Sequence, residues 1–392
     1  MKRMKSIVWA ALFAVVVLSP PSPANAALGV VTAVPTGTRP QTAVINPVTH
    51  RLYVAHDSSL PADSFVTVIN TLTNTVLTTV PVQKTARSIA INTVTNRVYV
   101  ANMDSNSVSV IDGVTNSVIA NLASPGVMTK AVAVDESTDR FYSAGHEWLV
   151  AWDGGTNGVI CTRQIVSVDI EGIGVNPNNH RVLALAFGAF PYDRYNVVDG
   201  TNCGLLSSNQ PQTCGAESRS IVYNNADNHF YAVGYNSGTI AGYSGTTGSL
   251  DRCINAGVPD GGFGIGLDAP NQTLYGSFNR NPLTKIDIAT GHVLGNLSTG
   301  LEMNGIGIEP RACATGVFVA NHFDNQVLVV KDDVPCPPVG GIAEQPDVAA
   351  LPAQTPTAAA GNRTAYALGS AAAAALAIVA AGGWAMRRRC SE

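Results

Sequence analysis

Arg87, Lys130 and Arg219 hold the same register position in a sequence pattern that returns at intervals of roughly 45 residues. Gln41, Glu171, Phe263 and Asn304 fill that position in the other copies. Three cations and one acid at one level suit an anion, because guanidinium and ammonium groups around a concave opening focus positive potential on a carboxylate or phosphate. A second set falls in turns: His56 with Asp57, Asp104, His146 with Glu147, and His322 with Asp324. Such side chains invite a metal, yet every ligand has to reach within about 2.0–2.2 Å of the ion, and these turns belong to separate copies. They read as a polar docking rim, with no metal and no cofactor. No GxSxG, HExxH, CxxC or phosphate-binding loop occurs. The glycines of "GIGV", "GIGL" and "GIGI" do not open a helix and read as packing sites. No catalytic residue is expected.

The elements that must position these residues are legible in the repeat. Each copy opens on a short apolar run ("TAVI", "SIAI", "AVAV", "GIGV", "SIVY", "GIGL", "GIGI"), followed by a polar turn such as "NPVTHR" or "NTVTNR". An anchor comes next, at Tyr53, Tyr99, Tyr142, Leu183, Tyr231, Tyr275 and Phe318. A second turn, a third strand and, in all copies but the last, a third turn and a weaker fourth strand complete the unit. Apolar residues alternate at two, which excludes helical repeats of similar length. One four-stranded meander leaves two bare faces, so the copies must pack around an axis. The expected fold is an all-β, seven-bladed β-propeller of four-stranded antiparallel blades with strands a to d from the axis outward. The last copy lacks strand d, and "ALGVVTAVPTGTRP" (27–40) resembles the d strand of unit one, so the N-terminal strand is expected to close the ring.

"RVYVANMDSNSVSVIDGVTNSVI" resembles the YVTN-type propeller repeat of bacterial and archaeal exported and surface-layer proteins. The resemblance covers residues 29–335 and is sharpest in units one and two. In unit four Leu183 replaces the tyrosine, and "ALAFGAFPYDRYNVVD" carries an insertion. The resemblance implies a fold and a compartment, and says little of activity. In this fold the d–a connections and b–c turns share one face, and strand a lines the channel. Gln41, Arg87, Lys130, Glu171, Arg219, Phe263 and Asn304 are therefore expected to ring the channel mouth, beside the His56, Asp104, His146 and His322 turns.

Flanking segments suggest an address. "MKRMKSIVWAALFAVVVLSPPSPANA" (1–26) has the basic, apolar and small-residue parts of a secretory signal. The propeller is assigned to 27–337 and a Pro/Ala/Gly-rich stalk to 338–364. Residues 365–386 carry no charge and read as a transmembrane helix, with Arg387–Arg389 in a cytoplasmic tail, 387–392. The layout resembles a cell-wall sorting signal, although "LPAQTP" departs from LPxTG. With both ends removed the formal charge moves from −4 to about −9, which disfavours nucleic-acid binding. Six cysteines lie in the exported part, giving 15 possible pairings. The pairing read from strand position is Cys313 with Cys336, Cys214 with Cys253 and Cys161 with Cys203, the rival being Cys203 with Cys214. The expected function is a membrane-anchored, extracytoplasmic binding or scaffolding module. Its partner would be a protein or a small anion held at the b–c and d–a face. The alternatives are a propeller enzyme of lactonase or lyase type and a structural surface-layer component.

Overall fold

The computed structural model describes residues 28–333, apart from 59–63, 188–193, 210–213, 215–217, 236, 260, 279–282, 299–302 and 312–313. The signal, stalk, transmembrane and tail assignments lie outside these residues, as does the Cys313–Cys336 pair. All described elements are strands. The closing strand is β1 (Leu28–Pro35). Unit one is β2 (Pro40–Asn46), β3 (Arg51–His56), β4 (Phe65–Asn70) and β5 (Thr75–Pro81). Unit two is β6 (Ala86–Asn92), β7 (Arg97–Asn102), β8 (Ser107–Asp112) and β9 (Ser117–Ala123). Units three and four comprise β10 (Val127–Asp135), β11 (Arg140–Asp153), β12 (Val159–Asn176), β13 (Arg181–Phe187), β14 (Arg194–Asp199) and β15 (Leu205–Asn209). Unit five is β16 (Ser218–Asn224), β17 (His229–Gly234), β18 (Thr239–Ser244) and β19 (Leu250–Asn255). Unit six is β20 (Gly262–Asp268), β21 (Thr273–Phe278), β22 (Leu283–Asp287) and β23 (Val293–Leu297). Unit seven is β24 (Met303–Pro310), β25 (Ala314–Asn321) and β26 (Gln326–Asp333).

Five four-stranded sheets form, not the expected seven, and units three and four run together into one six-stranded sheet, β10 to β15. The reason is local. "RQIVSVDIEG" within β12 contains no proline, and its β-branched residues stay extended where the other connections into an a strand carry Pro or Gly. The first half of β11 pairs with β10, while Trp148–Trp152 pairs with the first half of β12. The second half of β12, Asp169–Asn176, then pairs with β13. At the other end, β1 pairs antiparallel with β26 from Leu28↔Asp332 to Pro35↔Gln326. The N-terminal strand thus supplies the outer strand of the last unit, as its sequence suggested.

The polar turns after the a strands carry two jobs. In unit one, Asn46 Oδ1 accepts the backbone N–H groups of Val48 and Thr49. The turn's last residue takes a positive φ, as at His50, Asn96, Asp139, His180, Asn228 and Gln272, a conformation that Asn, Asp and His tolerate best. The remaining side-chain atom of the strand-end residue reaches the turn of the next unit. Asn46 Nδ2 donates to Asn96 Oδ1 at 2.7 Å, Asn92 Nδ2 to Asp139 at 2.8 Å, and Asn224 Nδ2 to Gln272 at 2.9 Å. Asp135 faces His180 at 2.8 Å, and Asn176 donates to Asn228 at 2.9 Å. Thr315 donates to Asp268, and His50 meets Glu309 at 2.7 Å, bringing the circuit back to unit one. The repeated turn is therefore also an inter-unit clasp.

The anchors work alongside. Arg51 and Tyr53 lie two residues apart on one strand face, and both donate to the Gly113 carbonyl of the next unit. Arg140 and Tyr142 do the same to Gly200 at 3.2 and 3.1 Å. Burial pushes the Tyr142 phenol up to about 12. Leu183 has no hydroxyl to offer, and the equivalent Gly245 carbonyl is satisfied by Asn176 and Asn179, both at 2.9 Å. Apolar clusters fill the space between neighbouring units. One joins Tyr53 and Val68 to Ile89 and Val98, and another joins β1 through Val34 to Leu52, Phe318 and Val327.

Two disulfides link Cys161 of β12 to Cys203 in the turn before β15, and Cys214 between β15 and β16 to Cys253 of β19. These are two of the three expected pairs, and they leave no place for the rival Cys203–Cys214.

Candidate ligand site at the channel mouth

The a strands enclose a central cavity of about 570 Å³. Aliphatic side chains, Ile45, Ile89, Val132, Ile173, Ile265 and Ile306 among them, share its wall with polar ones such as Thr42, Ser88 and Ser220. Gln41, Arg87, Lys130, Glu171, Phe263 and Asn304 all line it. Arg219 lies on β16, but its side chain falls outside the described residues, and Ser220 represents that strand in the lining.

A backbone device aims these side chains. Every a–b pairing slips at the ring residue: between Pro40 and Thr42, Ala86 and Ser88, Thr129 and Ala131, and Ile170 and Gly172. The same shift recurs between Ser218 and Ser220, Gly262 and Gly264, and Met303 and Ile306. A bulge leaves one residue without a partner and re-aims its side chain. Six of these positions, Gln41, Arg87, Lys130, Glu171, Phe263 and Asn304, line the cavity.

The cations do not stand free. Lys130, only 7% exposed, places Nζ 2.5 Å from Asp169 Oδ2 and 2.6 Å from Glu171 Oε1. Arg87 Nη2 donates to Glu171 Oε2 at 3.1 Å, and its Nη1 lies 3.8 Å from Asp57. Among the described side chains, three carboxylates meet two cations, so the arc from units one to four is charge-dense without being basic. Across the mouth the described side chains are neutral. Asn304 Nδ2 donates to Gln41 Oε1 at 2.9 Å, and Phe263 packs edge-on against Tyr235 with ring centroids 5.3 Å apart. Asp169 was not singled out from the sequence. Its signal was an acid two residues before the Glu171 ring position.

The rim turns separate in character. His146 is exposed, and its Nδ1 lies 4.0 Å from Asp169 Oδ1. Asp104 accepts the Thr85 hydroxyl at 2.6 Å. Arg39 Nε donates to His322 Nε2 at 3.3 Å, and Asp324 accepts from Asn321 at 2.8 Å. His56 is fully buried, stacked on Phe65 with centroids 4.2 Å apart. Its Nδ1 donates to the Thr38 carbonyl at 2.7 Å, and Nε2 lies 2.9 Å from Thr67 Oγ1. It belongs to the interior, not the rim. Among the described residues no three His, Cys, Asp or Glu side chains converge as a metal site would require. Glu171 is the one acid, and no histidine occurs, among the described cavity-lining residues, whereas the lactonase or lyase alternative calls for both.

Burial lowers the His56 pKa to about 4 from an ordinary 6.5. The folded value lies below the unfolded one, so this contribution to stability is intact above pH 6.5 and is lost as pH falls toward 4. Denaturant unfolding across that window should show wild type losing roughly 3 kcal/mol more than His56→Gln. Parallel pH profiles for the two proteins would show that His56 titrates in the fold as it does in the unfolded chain, against a buried neutral ring.

No protein-family model matches the chain, and no curated protein matches it in sequence. A solved structure, the hydrazine synthase of Kuenenia stuttgartiensis, is similar to it with a TM-score of 0.63 at 15% identity, over 74% of this chain and 94% of that one. At that identity the likeness concerns the β-propeller fold alone.

Proposed function

We propose that this protein is an extracytoplasmic binding module, a propeller of the YVTN-repeat kind with seven sectors, carried on a stalk by a single C-terminal membrane span. The six-stranded sheet then counts as units three and four joined edge to edge. Support for seven sectors comes from the inner strands, which neighbour one another in the closed order β24, β2, β6, β10, β12, β16, β20. Support for an oxidising compartment comes from the two disulfides, and the address from the flanking segments.

One observation carries the binding reading: the ring of bulged residues places desolvated charges at the mouth of a cavity whose wall includes aliphatic side chains. Ion pairs held out of water contribute little net stability, so their concentration there suits recognition better than folding. Charged groups placed over aliphatic side chains in a concave wall are the usual composition of a ligand pocket. A thermal-shift screen of the full chain against amines, carboxylates, phosphates and sugars, followed by titration calorimetry, tests it. At least one class should bind, and Arg87→Met should weaken it about tenfold or more while Val94→Asp, at an exposed a–b turn on the opposite face, does not. Binding indifferent to Arg87→Met would move the site elsewhere.

A further inference from the structure

Four large aliphatic side chains stand on turns that have no need of them. Val48, Val94 and Val114 are 72–76% exposed, and Leu72 is 44% exposed. Each sits two residues past the Asn or Asp that opens an a–b or c–d turn of unit one or two. Turns favour Asn, Asp, Gly, Pro and Ser, and other units carry small or polar residues at this position, such as Ser137, Asn178, Ala226, Gly155 and Thr201. The four turns are contiguous. Thr71 N–H donates to the His50 carbonyl at 3.0 Å, Asn46 reaches Asn96 at 2.7 Å, and Gly113 N–H donates to the Asn96 carbonyl at 2.8 Å. They form one aliphatic patch across two neighbouring units, of the kind that marks an interaction surface.

The turns beneath these side chains are already satisfied. Asn46, Asn70, Asn92 and Asp112 each accept, through Oδ1, the backbone N–H of the aliphatic residue and of the threonine after it, at 2.7–3.3 Å. The Thr73 and Thr115 hydroxyls pair with Thr75 and Ser117, both at 2.8 Å. Arg51 is turned to the Gly113 carbonyl. These groups can leave water without losing hydrogen bonds, which is what a nonpolar medium demands. The chain also leaves the ring on this face. Asp333 pairs with Ala314 at the a–b turn of unit seven, and Arg311 of that turn donates to the Thr71 carbonyl, beside Leu72, at 3.2 Å. Residues 334–392 follow, and a coil as long as the assigned stalk reaches about 30 Å. The patch thus lies on the side that the anchor would hold nearest the bilayer.

We propose, on the reading of this chain as membrane-anchored, that the Val48, Leu72, Val94 and Val114 turns seat the propeller on the outer leaflet of the bilayer that carries it, with their methyl groups at the headgroup and acyl boundary. The tether supplies the local concentration that four short side chains lack by themselves. Seating on this face turns the channel mouth away from the membrane, toward whatever approaches from outside. Because the patch covers only units one and two, the ring axis tilts toward that side.

Methyl NMR on the full chain in phosphatidylcholine nanodiscs, with and without a lipid spin-labelled near its headgroup, tests this. Signals of Val48, Leu72, Val94 and Val114 should lose about half their intensity or more to the spin label. Met128, exposed at the start of β10 on the mouth face, should keep its own. Val94→Asp and Leu72→Asp change exposed turn residues, so folding is not at issue. Together they should reduce the broadening at Val48 and Val114 about twofold or more. Equal broadening at Met128 and at the four turns, or none at the turns, overturns the seating while leaving the anchored reading and the mouth intact. Shifts of these signals that follow protein concentration in discs without spin label would assign the patch to a second copy, and overturn it as well. A chain that does not enter the discs removes the anchored reading and the inference together.

Discussion

Deleting residues 28–35 should lower the melting midpoint by about 8 °C, corresponding to roughly 5 kcal/mol for a domain of this size. The strand itself is mostly exposed, so the loss comes from two consequences of its absence. The outer edge of β26 would lose its ladder from Asp332 to Gln326, presenting unpaired backbone groups to water and to other chains. The pocket that Val34 fills among Leu52, Phe318 and Val327 would also open. A point variant separates packing from simple shortening. Val34→Asp, at 5% exposure, should cost about 3 kcal/mol or more by burying an unpaired carboxylate. Val31→Asp, at 57% exposure, should cost under about 0.5 kcal/mol. Equal melting curves for wild type and the 28–35 deletion would mean that the ring does not depend on this strand.

Removing both disulfides is expected to be more damaging still. The bridges close loops of 42 and 39 residues, and chain-entropy reasoning assigns roughly 4 kcal/mol to a loop of that length. Together they staple units three, four and five. Cys161→Ala and Cys253→Ala, singly and combined, should lower stability additively, since the two loops do not overlap. Denaturant midpoints measured with and without reductant provide the check. A reduced wild type that unfolds at the oxidised midpoint would exclude these pairings as stabilising links.

Strand spacing, anchors and ring closure were readable because each depends on local chemistry repeated many times. "NTVTNR" announces a tight turn by Asn92 and the left-handed Asn96, and "RVYVAN" reads as a strand by its β-branched and aromatic residues. The join of units three and four was also written in the chain, in the missing prolines of "RQIVSVDIEG", but the period of the other copies outweighed that sign. The ring positions were found because strand a has a fixed relation to the axis. Their pairing was not, since Arg87 meets Glu171 from 84 residues away, and no local rule relates those positions. A cationic ring inferred from residue types became an ion-paired one for that reason. His56 shows the same limit in reverse. A turn histidine reads as polar rim until Phe65 and Thr67 on the neighbouring strand are seen to enclose it.

Leu28 and Asp332, which face each other in the outermost ladder, are separated by nearly the whole described chain. During synthesis the first of these strands emerges early and has nothing to join until the last hairpin has been made. The ring therefore cannot lock while the polypeptide is incomplete, and its final step is a slow long-range closure rather than a local one. Until then each half-built arc exposes two raw flanks that fit any other arc, including one from a second molecule. Interlocked dimers and aggregates are thus the characteristic failure expected of crowded refolding, and dilution should favour the single closed ring.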